Sequence, residues 1–425
     1  MDQTIIVLLI ALLMIVLFVS NKFSYGLVTM TCCALLCLTG VCSVETAFSG
    51  LSNKIIILMA GMFVLSAALA KTSFTRKLQD MMRLMRGKKD TALVAIMCIC
   101  VAIMVQFMPC TATLALMMTF TAALGTDGDV TESRVLLPLL VMTGTFWNAT
   151  PLGFGATAYA TMNAMVEGFV DESMLFTIFD KAKVAIFPAI ISLVYCLMCW
   201  RNMPKYEIET DAAAPGTSKN DAAPYTKTQE TIIYVLFIAV MIILMFFQNY
   251  SYIAPVVAIL VLAYTKIMDL KEIVRNMTIP TIWMTAGILV ISTCISNSGA
   301  GTIIGNTVLN ILGGTQNQWI IMIAFALTTV IMTSFMSNIA TYMILTPIAA
   351  SVAAACGADM RALVLIVNIG SYYAWFFPTG SNQAAMVFAA AKYNPLKIAK
   401  FTIPCLLIST AALIVSASFW FPMFH

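Results

Sequence analysis

Phe335-Met336-Ser337-Asn338-Ile339-Ala340-Thr341 lies in the middle of an apolar run, residues 318–354, and interrupts it with polar side chains. An earlier run, 91–125, carries Phe107-Met108-Pro109-Cys110-Thr111-Ala112-Thr113 at the same place. A membrane-spanning helix needs about 20 apolar residues, so each run is too long for one span. We therefore predict two re-entrant hairpins whose half-helices meet at these stretches. The alternative for each run is two short spans, which would give the same topology.

The two stretches belong to a longer internal repeat. Ala60-Gly61 recurs as Ala286-Gly287, and Pro151-x-Gly153 recurs as Pro378-x-Gly380, with offsets of 226 and 227 residues against 228 for the hairpin stretches. Each half reads as three spans, an interfacial helix, a hairpin and two further spans. Because five spans is an odd number, the second half is inverted relative to the first, which is typical of secondary transporters.

The composition excludes several classes of protein. Of the 425 residues, 61% are hydrophobic and 10% are charged, whereas soluble proteins carry about 25% charged residues. A soluble enzyme and a disordered chain are both excluded. A net charge of +4 is too small to indicate a nucleic-acid partner. The only histidine is His425, so histidine relays and histidine metal sites are excluded. We predict an all-α polytopic membrane protein whose surroundings are the lipid bilayer.

Two kinds of helix are expected besides the hairpins. Residues 74–86 and 302–312 are predicted as interfacial helices on opposite sides of the membrane, and residues 201–230 as a cytoplasmic linker between the halves. About ten runs are predicted as single spans: 4–20, 25–43, 54–72, 135–165, 173–200, 231–247, 252–266, 281–298, 362–391 and 399–422.

The basic residues predict the orientation of these spans. With the N-terminus outside, only Lys54, Lys181, Lys183 and Arg361 among the 23 Lys and Arg residues fall on or near the outer side. The C-terminus is then outside as well. An integral, multi-pass protein of the cell membrane, in a bacterium the inner membrane, is expected. Neither carboxylates nor basic side chains lie deep in the assigned spans, so neutral groups and helix ends are expected to hold any ligand.

Three motifs carry a resemblance to a known family. The Ser337-Asn338 hairpin stretch, Ala149-Thr150-Pro151-Leu152-Gly153 and Phe377-Pro378-Thr379-Gly380-Ser381-Asn382-Gln383 resemble the hairpin tip and the two helix-breaking stretches of the divalent anion:sodium symporter family, within the ion transporter superfamily. The resemblance implies a homodimer in which a mobile transport domain moves against a fixed scaffold as an elevator. Its substrates are di- and tricarboxylates or sulfate, usually carried with Na⁺.

The same resemblance implies a division of the chain. Scaffold spans and the interfacial helices are expected at 1–90 and 231–313, hairpins with transport-domain spans at 91–200 and 314–425, and the linker at 201–230. A secondary carrier of this kind, and not an enzyme, is the predicted function.

The implied cation sites differ between the halves. Thr333, Ser337, Asn338 and the Gly380 carbonyl match the family's second sodium site, since hard cations prefer oxygen ligands. In the first half, Pro109-Cys110 replaces Ser-Asn, and the site keeps mainly Gly153. Sodium coupling is accordingly expected to be reduced, asymmetric or absent.

Anion binding is expected at helix N-termini and at neutral side chains around the breaks, because unpaired N–H groups there favour negative charge. The candidate substrate residues, some of them shared with the cation site, are polar or small side chains at or near these breaks: Cys110, Thr111, Thr113, Asn148, Thr150, Thr157, Ser337, Asn338, Thr379, Ser381 and Asn382.

Other functions remain open at this point. A sodium-independent anion exchanger is one alternative, and a metal-citrate, arsenite or sodium/proton carrier of the same superfamily is another. The lack of an intramembrane carboxylate disfavours the sodium/proton carrier.

Overall fold

The computed structural model describes residues 3–20, 22–73, 90–121, 129–169, 174–206, 225–247, 250, 252–314 and 316–424. The predicted interfacial helix at 74–86 and most of the predicted linker lie outside these ranges. Throughout the described ranges, the regular elements are helices. Eight of the described helices are long and apolar enough to cross a membrane. The chain is therefore a multi-pass membrane protein, as predicted.

The first repeat supplies nine of the α-helices labelled here, and a short 3-10 helix at Ser49–Ser52 precedes the fourth. The helices are α1 (Gln3–Ser20), α2 (Tyr25–Leu38), α3 (Val44–Phe48), α4 (Lys54–Ala70), α5 (Asp90–Phe107), α6 (Cys110–Thr121), α7 (Glu132–Phe146), α8 (Gly155–Val166) and α9 (Asp180–Cys199).

The second repeat follows the same order. Its helices are α10 (Lys227–Phe246), α11 (Ala254–Tyr264), α12 (Leu270–Met277), α13 (Pro280–Asn297), α14 (Ala300–Ile311), α15 (Gln318–Phe335), α16 (Asn338–Cys356), α17 (Arg361–Gly370), α18 (Asn382–Ala391) and α19 (Pro395–Trp420). The outer interfacial element predicted at 302–312 corresponds to α14.

The helix breaks occur where the polar stretches predict them. In the second hairpin, only Met336 and Ser337 separate α15 from α16, and Ser337 caps α16 by accepting the Ala340 N–H at 3.2 Å. The runs predicted as single spans at 135–165 and 362–391 are each two helices with an unwound segment between them. Each repeat thus contributes a hairpin and a broken helix.

The repeated Ala-Gly pair marks the places where one repeat packs closely against the other. A Cβ on Gly61 in α4 would lie 2.5 Å from Pro255 Cβ in α11. A Cβ on Gly287 in α13 would lie 2.5 Å from Thr29 Cβ in α2. Real Cβ atoms do not approach this closely, so glycine is required at both positions. The second helix of each repeat therefore packs on the fourth helix of the other repeat: α2 packs on α13, and α11 packs on α4.

The two broken helices are also in close contact. A Cβ on Gly144 in α7 would lie 2.4 Å from the Tyr372 carbonyl oxygen, in the unwound segment after α17. The second hairpin helix α16 packs on α8, and α6 packs on α18. Helix α8 packs in addition on α4 and α13. The breaks of both repeats consequently meet beside α4 and α13.

Candidate functional site

Asn338, the first residue of α16, lies in a cluster of oxygen atoms. With its amide nitrogen facing them, it lies 3.0 Å from Thr333 Oγ1 and 3.1 Å from the carbonyl oxygens of Gly380 and Ser371. The Thr333 hydroxyl donates to the same Ser371 carbonyl. Thr333, Ser371 and Asn338 are all buried. We call these groups the Asn338 cluster; three of its four residues are ones the sequence assigned to a cation site.

Backbone geometry holds the Asn338 cluster together. A Cβ on Gly380 would lie 2.5 Å from the Thr333 carbonyl oxygen, so only glycine lets the unwound segment approach the end of α15. Ser371 contributes a backbone carbonyl, which no sequence motif signals. Ser337, predicted as a fourth ligand, uses its hydroxyl oxygen to cap α16.

In the first repeat, the buried side-chain amide beside the hairpin break is that of Gln106. It is the penultimate residue of α5 and is 4% exposed. Its amide nitrogen donates to the carbonyl oxygens of Ala102 at 3.0 Å and Phe146 at 2.6 Å. Its amide oxygen accepts the Thr150 hydroxyl at 2.8 Å. The donors and acceptors at this position therefore satisfy one another within the protein.

Gly153, the residue the sequence retained for a first cation site, lies against the same part of α5. Its φ is +54°, and a Cβ would lie 2.1 Å from the Gln106 carbonyl oxygen. That carbonyl accepts the Phe154 N–H at 3.0 Å. Gly153 is thus explained by close backbone packing against α5. Thr150, predicted to face the substrate, is bonded to Gln106 instead.

A cavity of about 140 Å³ lies between the breaks and α4 and α13. A volume of about 10–15 Å³ holds one water, so this cavity can hold a small organic anion. The residues lining it are Met59, Phe63, Trp147, Asn148, Phe154, Thr157, Ala158, Thr161, Lys181, Met284, Ile339, Tyr342, Met343, Asn368 and Tyr372.

Among the described residues that line the cavity, Asn148 Oδ1 is buried without a hydrogen-bond partner. Tyr342 Oη and Asn368 Oδ1 are buried beside each other and make no hydrogen bond to any other described group. Asn148 has a φ of +54°, a conformation that asparagine adopts more readily than most residues. Buried polar groups are normally paired. An unpaired polar atom on the wall of a cavity of this size indicates a binding site for a polar ligand.

Lys181 corrects the expectation that no basic side chain reaches the core. It lies in the first turn of α9, is 4% exposed and lines this cavity. Its Nζ lies 5.9 Å from the ring centroid of Tyr372. The sequence had placed Lys181 near the outer end of a span, beside Asp180 and Lys183. The side chain is instead buried and lines the cavity together with Asn148, Thr157 and Tyr372.

A second cavity adjoins the Asn338 cluster. Its volume is about 10 Å³, room for at most one water. Among its lining residues, Cys110, Asn338 and Ser381 were predicted at the substrate, and Tyr372 is shared with the larger cavity. The hairpin tips of the two repeats therefore meet here, separated from the larger cavity by one aromatic ring.

Thr111, Thr113, Thr379 and Asn382 line neither cavity, whereas Ser381 lines the smaller one. Thr379 donates to the Ser334 carbonyl oxygen at 2.9 Å. Thr113 is buried, Thr111 is half-buried and Asn382 is exposed. Ser381 caps α18 by accepting the Ala384 N–H at 3.0 Å. Of the eleven predicted substrate residues, Asn148 and Thr157 are the two that line the larger cavity.

Comparisons with known proteins agree with this architecture. A family model described as "Citrate transporter" matches residues 15–370. An uncharacterised transporter of Haemophilus influenzae is 23% identical over 374 residues, covering 85% of this chain and 80% of its own length. An uncharacterised transporter of Synechocystis sp. is 27% identical over 131 residues, 31% of this chain and 21% of its own length.

One solved structure extends the comparison to the whole fold. The crystal structure of the Alcanivorax borkumensis YdaH transporter superposes with a TM-score of 0.62 at 12% identity, and the match covers 99% of this chain and 98% of YdaH. At this identity, the likeness concerns the fold alone. The relation of this chain to membrane transporters rests on the family match and the curated relatives.

Proposed function

Because this chain belongs to the citrate transporter family, we propose that it is a secondary active carrier of small di- and tricarboxylates, with sulfate as a smaller candidate substrate. The observation that carries the proposal is the cavity of about 140 Å³ at the meeting point of the two broken helices. The unpartnered Asn148 Oδ1 and the neighbouring Asn368 and Tyr342 side chains support a polar ligand. Its position between inverted repeats is typical of transporter substrate sites.

We propose that one Na⁺ accompanies the anion, bound at the Asn338 cluster. Thr333 Oγ1 and the Ser371 and Gly380 carbonyl oxygens are hard ligands that suit Na⁺. A half-turn of the Asn338 amide would add its oxygen as a fourth. In this proposal, sodium is a transported co-substrate.

The first repeat supports no second sodium. Gln106 Nε2 already donates to the Phe146 carbonyl there, and Gln106 Oε1 already accepts from Thr150. A cation would have to displace these bonds and find ligands in their place. We therefore propose an asymmetric carrier with a cation site in the second repeat only.

The proposed movement is an elevator displacement of the hairpins and broken helices against α4 and α13. The cavity wall on the scaffold side is apolar, with Met59, Phe63 and Met284. Two hydrogen bonds between described residues cross this boundary: Thr161 donates to Met59 Sδ at 3.4 Å, and Ser296 of α13 donates to the Gly168 carbonyl oxygen. The displacement would exchange these two bonds, whereas the bonds of Gln106 and of the Asn338 cluster lie within the moving part. This distribution of contacts supports the proposal.

Uptake by proteoliposomes tests the function. Purified protein is reconstituted and offered labelled succinate, malate, citrate, tartrate or sulfate, with an inward gradient of sodium or of choline. We expect sodium-stimulated uptake of at least one carboxylate. Uptake of none of these anions, under either gradient or by counterflow, would overturn the proposal. Counterflow without sodium stimulation would favour the exchanger over the symporter.

A further inference from the structure

We propose that Lys181 is the substrate-recognition cation of this carrier, binding one carboxylate of the transported anion through its ammonium group. This inference rests on the proposed function and gives the site a charged group that neither the sequence motifs nor the hairpin tips supply.

The position of Lys181 supports direct contact with a ligand. The side chain is 4% exposed and lines the cavity of about 140 Å³ opposite α4 and α13. The Tyr372 ring lies under the ammonium group, with Nζ 5.9 Å from its centroid. A cation above an aromatic face is held electrostatically and keeps its N–H groups for another partner. The ring thus positions the ammonium at the cavity wall.

The residues beside Lys181 do not neutralise it. The neighbouring carboxylate, Asp180, pairs with Lys183 at 2.8 Å and accepts the Thr177 N–H at 2.8 Å. Among the described residues, none offers a carboxylate within 4.0 Å of Lys181 Nζ. The contrast between two lysines in one helical turn is informative, since Lys183 has its counter-ion in the protein and Lys181 does not.

A buried ammonium without a counter-ion is unfavourable, because burial removes its hydration and nothing replaces it. An anion in the cavity would supply the missing charge. Thr157, Asn148 and Asn368 at the same wall can bond the rest of the ligand. The chemical class that fits is a short aliphatic chain carrying at least two carboxylates, one at Lys181 and one nearer the Asn338 cluster.

This arrangement also predicts a charge balance. Lys181 offsets one negative charge of the substrate, and the sodium proposed at the Asn338 cluster offsets another. A dicarboxylate bound with one Na⁺ is then neutralised within the protein. Without the lysine charge, a monocarboxylate would match the remaining sodium better than a dicarboxylate does.

The test compares the wild type with Lys181→Met, Lys181→Arg and Lys183→Met in proteoliposomes. Lys181→Met keeps the length of the side chain and removes its charge, while Lys183→Met removes the paired lysine two residues away. Succinate, citrate and the monocarboxylate butyrate are the labelled substrates. Binding of the same anions to purified protein is followed by the fluorescence of Trp147, with Trp147→Phe identifying its signal.

We expect Lys181→Met to weaken succinate and citrate binding by about 10- to 100-fold, the loss that follows when a charged hydrogen bond is removed. The KM should rise with it, and the preference for dicarboxylates over butyrate should fall. Lys181→Arg should restore much of the affinity, and Lys183→Met should bind like the wild type.

Unchanged dicarboxylate affinity in Lys181→Met, with wild-type uptake intact, would overturn the role of Lys181 and leave the proposed function standing. Equal losses in Lys181→Met and Lys183→Met would also overturn it, since that result indicates a structural effect of the helix start. A wild type that binds and carries none of these anions would overturn both proposals together.

Discussion

Gln106 Nε2 lies 2.6 Å from the carbonyl oxygen of Phe146, and this hydrogen bond joins the end of the first hairpin helix to the end of the first broken helix. The same amide accepts from Thr150 on the far side of the break. In the second repeat, the Asn338 amide joins the hairpin to Ser371 and Gly380. One carboxamide in each repeat thus connects hairpin and broken helix, but from different positions in the sequence.

Replacing Gln106 by leucine should destabilise the protein. The change leaves the Phe146 carbonyl and the Thr150 hydroxyl, both partly buried, without this partner. Because a fully buried unpaired group costs about 1–3 kcal/mol, we expect a total loss of about 1–3 kcal/mol. The midpoint of thermal unfolding in detergent measures the effect, with Gln316→Leu, at an exposed position, as the control. Equal midpoints for Gln106→Leu and the wild type would show that the bridge contributes no stability.

Thr333→Val should remove sodium stimulation of transport. The variant keeps the shape of the side chain but lacks the Oγ1 that faces Asn338. Thr329→Val is the matched control one turn earlier, because that hydroxyl bonds only the Phe325 carbonyl of its own helix. In the wild type, uptake should rise with sodium as a simple hyperbola, as for one ion. A sigmoidal dependence, or stimulation that survives in Thr333→Val, would contradict the single site.

Substitutions at Asn148 can distinguish the contribution of its backbone conformation to stability from the contribution of its side chain to ligand binding. Its left-handed φ of +54° costs an ordinary residue about 1–2 kcal/mol, whereas glycine adopts it freely. We expect Asn148→Gly to unfold at the wild-type temperature and to bind citrate at least several-fold more weakly. Asn148→Ala should lose both stability and binding. Wild-type affinity in Asn148→Gly would remove this amide from the site.

Gly61→Ala and Gly287→Ala should destabilise the protein to similar extents. Each added methyl meets a neighbouring helix at 2.5 Å, and forced overpacking costs about 1–3 kcal/mol. Gly370→Ala is the control, since a Cβ there meets its nearest atom at 3.4 Å. Size-exclusion profiles and unfolding midpoints in detergent give the comparison. Tolerance of both alanines would contradict the close packing between repeats.

The architecture was largely predictable because helix breaks in a membrane protein are conspicuous in the sequence. Ser337 and Asn338 are adjacent polar residues inside an apolar run too long for one span, and a break in the run is expected where its backbone must be satisfied by polar groups. The repeated Ala-Gly pair could be found because it recurs at nearly the same offset as the hairpin stretches. Only the structure shows that it allows close packing between the repeats. The family assignment followed from the order and spacing of these motifs and is confirmed by the family match.

The site was only partly predictable. Thr333, Asn338 and Gly380 could be named because they sit at the breaks, whereas Ser371 joins the Asn338 cluster through a backbone carbonyl that any residue could supply. Gln106 was missed since a single glutamine near a helix end has no pattern. The burial of Lys181 was not predicted because its sequence neighbours are charged and it lies near a span end. Its burial depends on packing between distant helices, which sequence position does not reveal.

The close packing of α2 on α13 and of α11 on α4 has a consequence for how the protein is made. Thr29 leaves the ribosome more than 250 residues before its partner Gly287. The helix faces of the first repeat that pack on the second repeat therefore have no partner in the bilayer until the second repeat has been inserted. Separately synthesised halves should be unstable alone and should accumulate only when both are made in the same cell.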